Sequence, residues 1–209
     1  MTNGQFRILG IAGSLRRGSY NRGLLRAARE HAPETVEICD FDLTPIPLFS
    51  EDIEGQADPL AVQHLKEQIR KADALLIATP EYNYSIPGVL KNAIDWASRA
   101  PQDSPLRHKP IALMGASTGG FGTVRSQLSL RQVFLSTKSY VLFEPELHVS
   151  DAHAKFDTEG NLTDCRTRAE VRGLVTALVY WTRLLRGEGE GSLAPCNHVR
   201  QIVWTEAVR

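Results

Sequence analysis

The chain has 209 residues, enough for one α/β domain with a full core. Its 24 basic and 24 acidic residues cancel to a formal net charge of zero, which argues against a nucleic-acid binder or an acidic-membrane partner. No apolar run approaches the ~20 residues of a membrane span, and the 42% hydrophobic and 23% charged content are those of a soluble globular protein.

The opening stretch, MTNGQFRILGIAG, lacks the basic region and cleavage site of a signal peptide. Its apolar part, Phe6 to Ala12, ends at Gly13 and predicts a buried strand. A helix follows with Leu24, Leu25 and Ala28 on one face. Val36 to Phe41 predicts a second strand, and Leu60 to Ala72 a helix with Leu65 and Ile69 inward. Ala74 to Ala78 is a solid apolar run bounded by Pro80, hence a third buried strand. Pro87 suits the first position of a helix, where its missing N–H costs nothing, and Leu90, Ala93, Ile94 and Ala97 share that helix's inner face. Ile111 to Met114 predicts a fourth strand, Gly115 to Gly122 a glycine-rich turn, and Thr123 to Ser136 a helix. Tyr140 to Phe143 predicts a fifth strand. Residues 144–163 read as irregular, with a turn at Glu159-Gly160-Asn161. A last helix from about Thr163 to Arg186 carries the stripe Val171, Leu174, Val175, Leu178, Trp181 and Leu185.

Strands alternating with helices predict a parallel sheet covered on both faces. Solid apolar strands agree with burial on both sides. Five strands and five helices fit the doubly wound flavodoxin-like fold with strand order 2-1-3-4-5. Residues 1–187 form that domain. GEGEG at 187–191 reads as a linker, and the tail to Arg209 as an arm for a neighbouring subunit, since Val199, Ile202, Val203 and Trp204 would otherwise face solvent. Cys39, Cys165 and Cys196 form no CxxC pair and are odd in number, so free thiols in a reducing cytoplasm are expected.

In an open α/β sheet, ligands bind beyond the carboxyl ends of the strands. Three polar loops land there. The first, Gly13-Ser14-Leu15-Arg16-Arg17-Gly18-Ser19-Tyr20-Asn21, joins strand to helix N-terminus and has the small hydroxyls and backbone N–H groups of a phosphate cradle. Arg16 adds a charge-assisted bond worth roughly 1.5–3 kcal/mol. The loop has neither the P-loop lysine nor GxGxxG, so a monophosphate fits better than a triphosphate or a dinucleotide. The second loop, Thr79-Pro80-Glu81-Tyr82-Asn83-Tyr84-Ser85-Ile86-Pro87-Gly88, is stiffened by two prolines and carries two tyrosines that no apolar face requires; such rings can lie beside a planar ligand. In the third, Gly115-Ala116-Ser117-Thr118-Gly119-Gly120-Phe121-Gly122, four glycines let backbone approach a flat ligand closely.

GSLRRGSYN at 13–21, TPEYNYSIPGVLKNAIDW at 79–96 and ASTGGFG at 116–122 together resemble the NAD(P)H-dependent FMN reductases, a family that includes quinone, chromate and azo-dye reductases. The resemblance covers about residues 6 to 186. It implies FMN as cofactor and NAD(P)H as electron-donating co-substrate. It implies that Ser14, Arg16, Ser19 and Asn21, with Tyr20 beside them, hold the FMN phosphate. Pro80, Glu81, Tyr82 and Asn83 would line the isoalloxazine ring, and Ser117, Thr118, Gly119 and Gly120 its other edge. It also implies a homodimer or homotetramer with the flavin near a subunit interface, and a small-molecule acceptor such as a quinone or a flavin.

On this reading FMN carries the electron chemistry, two substrates share one pocket in turn, and no catalytic acid or base is required. No metal is expected, since His31, His64, His108, His148, His153 and His198 are scattered and form no ligand spacing. Two other readings stand beside it. A flavodoxin-type electron carrier would share the fold, although such carriers often present an acidic docking surface. Gly115-Ala116-Ser117-Thr118-Gly119 also satisfies GxSxG after a strand, the nucleophile elbow of α/β-hydrolases, with Asp151 or Asp157 and then His198 in the right chain order.

Overall fold

The structure is a computed structural model and describes residues 5–54 and 58–188. Strand β1 (Phe6–Ala12) pairs in parallel with β2 (Val36–Phe41) on one side and β3 (Ala74–Ala78) on the other, and β3 pairs with β4 (Pro110–Ala116). The sheet order is 2-1-3-4-5, as expected. The fifth place, however, is shared by two short strands, and a six-stranded sheet replaces the expected five. β5 (Tyr140–Val141) covers only the start of β4, at Pro110 and Ile111. β6 (Leu147–Val149), in the stretch read as irregular, covers its end from Met114 to Ala116. Between them Pro145 has no N–H for a ladder, and Phe143 turns out to solvent, 78% exposed. β4 is itself longer than expected: Gly115 and Ala116 belong to the strand and not to the glycine-rich turn.

Side chains of a strand alternate between its faces, and the core divides accordingly. Ile8, Leu76, Ala112 and Met114 face α1 (Tyr20–His31) and α6 (Cys165–Leu185), meeting Leu24, Leu25, Ala28, Val171, Leu174, Val175 and Leu178. Leu9, Ile11, Leu75, Ile77 and Leu113 face the other way. There α3 (Leu60–Lys71), α4 (Gly88–Ser98) and α5 (Val124–Ser136) supply Leu65, Ile69, Leu90, Ala93, Ile94, Leu130 and Phe134. Each fully buried Leu, Ile or Phe contributes about 1.5–3 kcal/mol, which fixes the register of the inner strands. A four-residue helix, α2 (Glu51–Glu54), has no buried residue and was not foreseen.

Helix ends follow local chemistry. The Ser19 hydroxyl caps α1, and the Asp164 carboxylate caps α6 by accepting from Thr167 N. Pro87 is the cap of α4 and not its first residue; its carbonyl accepts from Leu90 N and Lys91 N. Cys39 and Cys165 are free thiols. Among the described residues no helix is long and apolar enough to cross a membrane. The tail from 189 onward, including Cys196 and His198, lies outside the described residues.

Candidate functional site

The loops after β1, β3 and β4 meet on one crest of the sheet and are bonded to one another. Gly13 N donates to Ala78 O and Thr79 N to Met114 O, both at 2.9 Å, so the parallel ladder continues into the loop starts. The Tyr82 hydroxyl lies 3.3 Å from Ser14 Oγ, joining the first loop to the second. Asn21 joins the first to the third: Ala116 N donates to Asn21 Oδ1 at 2.9 Å, and Asn21 Nδ2 donates to Ala116 O at 3.0 Å. A Cβ on Gly13 would press on Pro80 and Leu90, and one on Gly115 would collide with Thr79 O and the Thr123 side chain. Glycine at these two positions lets the loops lie this close.

The first loop presents unused donors. Ser14 and Ser19 are buried, and Leu15, Arg16, Arg17 and Gly18 are exposed. Arg16 N donates to Ser14 Oγ, and Asn21 N to Ser19 Oγ. Among the described residues the N–H groups of Leu15, Arg17 and Gly18 find no acceptor. Neither Arg16 nor Arg17 meets a carboxylate there. The Arg16 guanidinium rests 5.6 Å above the Tyr20 ring. Arg22 braces the loop from below: its Nε donates to Ser14 O, and it pairs with Asp42. A hydrogen bond from the Thr44 hydroxyl holds Asp42 below the usual carboxylate range, so that pair stays charged. Free N–H groups in the loop that leads into a helix N-terminus, beside two guanidinium groups without a carboxylate among the described residues, suit one phosphate monoester dianion, the group that FMN carries.

In the second loop, Tyr82 N donates to Ser85 O and Ser85 N to Tyr82 O, closing a two-residue turn. Its central residues, Asn83 and Tyr84, have φ of 49° and 63°, the left-handed pattern of a type I′ turn. Asn is at home there. Tyr84 stands where such turns usually carry glycine, at a cost of about 1–2 kcal/mol. Pro80 is buried, whereas Tyr82 is half exposed and Asn83 and Tyr84 face solvent. The Glu81 carboxylate turns away to the start of α5. Its Oε2 accepts from Arg125 N at 2.9 Å and Ser126 N at 3.3 Å, and Oε1 lies 3.1 Å from Arg125 Nη1. An acidic group at a helix N-terminus is favourable, and here it ties the second loop to the end of the third. What Glu81 offers a ring is therefore chiefly backbone.

In the third loop Thr118, Gly119 and Gly120 are exposed, and space beside Gly120 is open: a Cβ there would touch nothing within 4 Å. A flat ring could approach this backbone. Gly122, with φ 58°, packs against the backbone of His148 on β6, so the unforeseen strand buttresses the loop. Ser117 Oγ accepts from Gly119 N at 3.1 Å. Ser117 has none of the positive φ that marks a strained nucleophile elbow. Among the described residues its hydroxyl bonds no imidazole; His198, the candidate base, lies outside them.

Sequence reasoning singled out neither Arg125 nor the pairing of Tyr84 with Phe121. The Arg125 guanidinium lies 3.9 Å from the Tyr84 ring centroid and 5.1 Å from that of Phe121. The out-of-place tyrosine at the turn was the available signal, but only the fold brings its partner to it.

Residues 6–154 match the model of the NADPH-dependent FMN reductase family. The chain is similar to an NAD(P)H-dependent FMN reductase of Pseudomonas aeruginosa, with 49% identity over 87% of this chain and 97% of that one. It is 42% identical to an NAD(P)H:quinone oxidoreductase of Solanum tuberosum over 88% of this chain and 96% of that one. In three dimensions it resembles the flavoenzyme NAD(P)H:(acceptor) oxidoreductase of Paracoccus denitrificans, with a TM-score of 0.78, 33% identity, and coverage of 86% and 98%.

Proposed function

This chain belongs to the NADPH-dependent FMN reductase family, and on that premise we propose that it passes electrons from NAD(P)H by way of FMN to a quinone, a flavin or another small planar acceptor, in ping-pong order. It is an FMN-dependent oxidoreductase. Relatives named quinone reductases put quinones first among the acceptors.

The single observation that carries the residue assignment is the convergence of three bonded loops on one crest, with unpaired phosphate donors at one end. FMN, when bound, supplies the hydride chemistry, taking two electrons from NAD(P)H and giving them to the acceptor. Arg16, the Ser14 and Ser19 hydroxyls and the free N–H groups of the first loop hold its phosphate. Tyr20 parks the Arg16 guanidinium beside the cradle. Asn21 acts at one remove, fixing the cradle against Ala116. Pro80 and the backbone of Glu81 and Asn83 line one side of the ring, with Tyr82 beside them. Ser117, Thr118, Gly119 and Gly120 border the other. The overall balance is NAD(P)H, one proton and a quinone giving NAD(P)⁺ and a hydroquinone. No side chain need donate or remove a proton at the hydride step itself.

A cytoplasmic homodimer or homotetramer completes the reading, since exposed Tyr82, Tyr84, Phe121 and Leu15 leave an apolar rim around the crest of a lone chain. Residues 188–209 are proposed as an assembly arm. Light scattering of the whole chain and of a form lacking 188–209 tests both points, and a monomer mass for the whole chain would count against assembly.

Chromatography of the flavin released on denaturation tests the cofactor: FMN is expected, and FAD would refute the single-phosphate cradle. Initial rates tell the order of events. Parallel double-reciprocal lines are expected; intersecting lines would mean two separate sites.

A further inference from the structure

Helix α6 carries an outer face that its own fold does not explain. Cys165, Ala169, Gly173, Thr176, Tyr180 and Leu184 follow one another at spacings of three and four, so they form one stripe along the helix. All six face solvent, Tyr180 at 52% and Leu184 at 49% exposure. None is charged, although the outward stripe of a surface helix ordinarily is. The Thr176 hydroxyl is spent on Arg172 O of the same helix. Gly173 weakens the helix interior, and a Cβ there would touch nothing within 4 Å. Among the described residues nothing requires glycine at this point. A segment lying close against the helix would.

The end of α6 points to that segment. Gly187, at φ 72°, closes a Schellman turn: its N–H donates to Leu184 O at 3.1 Å, and Glu188 N donates to Arg183 O at 3.0 Å. The turn holds the departing chain at the Leu184 end of the stripe. Residues 189–209 follow. They include Leu193, Val199, Ile202, Val203 and Trp204, and their Glu190 and Glu206 balance Arg200 and Arg209. A partly apolar segment without net charge suits an uncharged stripe. Fully extended it reaches up to about 70 Å, against about 30 Å for the length of α6. It is long enough to cross to a neighbouring copy and still cover the stripe there.

We infer that residues 189–209 dock on the outer stripe of α6, the arm of one copy on the helix of another. Tyr180 and Leu184 are the anchors, and Gly173 lets the incoming backbone lie close. Every copy offers the same arm and the same stripe, so the exchange closes on a two-fold axis. The inference rests on the reading of the tail as an assembly arm.

The test puts the photoreactive p-benzoylphenylalanine in place of Tyr180 in the whole, FMN-loaded chain. After irradiation, denaturing electrophoresis and mass spectrometry of the digest identify what covers the stripe. A two-chain product is expected, with position 180 joined to a peptide from residues 189–209. The same peptide joined within one chain, a different peptide, or no product overturns the inference. Gly173→Arg gives a second reading. Its first side-chain carbon meets nothing in the described fold, and arginine suits a helix better than glycine, so the helical circular dichroism should hold. Light scattering should nonetheless give the lower mass of the form lacking 188–209, and an unchanged mass in Gly173→Arg overturns the inference as well. A truncated form that keeps the full mass would strike the arm reading itself, and the inference with it. A lower mass on truncation with no product from position 180 would leave the arm and overturn only its seat on α6.

Discussion

Asn21 and Ala116, 95 residues apart in the chain, exchange two hydrogen bonds: Ala116 N to Asn21 Oδ1 at 2.9 Å, and Asn21 Nδ2 to Ala116 O at 3.0 Å. A side-chain amide here imitates a strand neighbour for the last residue of β4. It locks the start of α1, and the phosphate cradle before it, to the origin of the third loop. Asn21→Ala would leave two buried backbone groups unpaired, at a cost of at least about 2 kcal/mol. In a domain of this size that lowers the thermal midpoint by about 4–8 °C. Asn21→Asp should not restore it, because a carboxylate would face the Ala116 carbonyl. Calorimetry of the three proteins with excess FMN checks this, and a wild-type midpoint for Asn21→Asp would contradict the clamp.

Among the described residues Arg16 has no carboxylate partner, and it rests on Tyr20. Its replacement should therefore affect the phosphate and little else. Arg16→Ala is expected to weaken FMN binding about tenfold or more, the worth of a charge-assisted bond. Riboflavin, which lacks the phosphate, should bind wild type and variant alike. Fluorescence titration with both flavins gives the two ratios, and equal losses would remove Arg16 from the cradle.

Much of this was legible in the sequence, for physical reasons that can be named. The run Ala74–Ala78 is buried at every position, and such a strand cannot be read as amphipathic. The stripe from Val171 to Leu178 repeats at helical spacing and faces the core. The three loops followed from the rule for open sheets. β6 was hidden because three residues are too few to show a period and Pro145 precedes them. α2 was hidden because nothing in it is buried. At the site, residue types could be chosen but not their partners. Nothing local says that Glu81 is spent on α5, 44 residues on, or that Asn21 faces Ala116. Those pairings exist only once the sheet has brought strand ends together.

Ser117 separates the reductase from a GxSxG hydrolase. Its hydroxyl accepts one hydrogen bond, from Gly119 N. Loss of one neutral hydrogen bond costs about 0.5–1.5 kcal/mol, a roughly 2- to 13-fold loss of cofactor affinity at most. Excess FMN should recover most of the NAD(P)H-dependent rate of Ser117→Ala. A nucleophile removed from a triad costs several orders of magnitude. Ester hydrolysis that is substantial in wild type and gone in Ser117→Ala would establish the hydrolase.

Lys109 lies at the opposite pole, donating from Nζ to Ala72 O at 2.6 Å. Burial, and then the nearby Arg186 charge, lower its pKa to about 8 against the pull of Asp73. Below pH 8 it is charged in both folded and unfolded chains, and the buried charge is a burden. Between about 8 and the ordinary value of 10.5 the unfolded chain binds more protons, so stability from this group rises with pH. Lys109→Met should remove that rise. Taking one pKa unit as about 1.4 kcal/mol and discounting for partial exposure, the wild type should gain about 1 kcal/mol on the variant between pH 7 and 10. Urea unfolding at the two pH values checks the sign; a gap moving the other way would contradict the assignment.

A chain that holds FMN on the crest and passes electrons through it in two separable halves can be caught between them. Purified protein saturated with FMN is titrated anaerobically with NADPH, then freed of nicotinamide by gel filtration and given a quinone. The flavin absorbance should bleach with NADPH alone, stay bleached through the column, and return on one equivalent of quinone. Bleaching that needs the quinone present, or a reductase protein in place of NADPH, would contradict it.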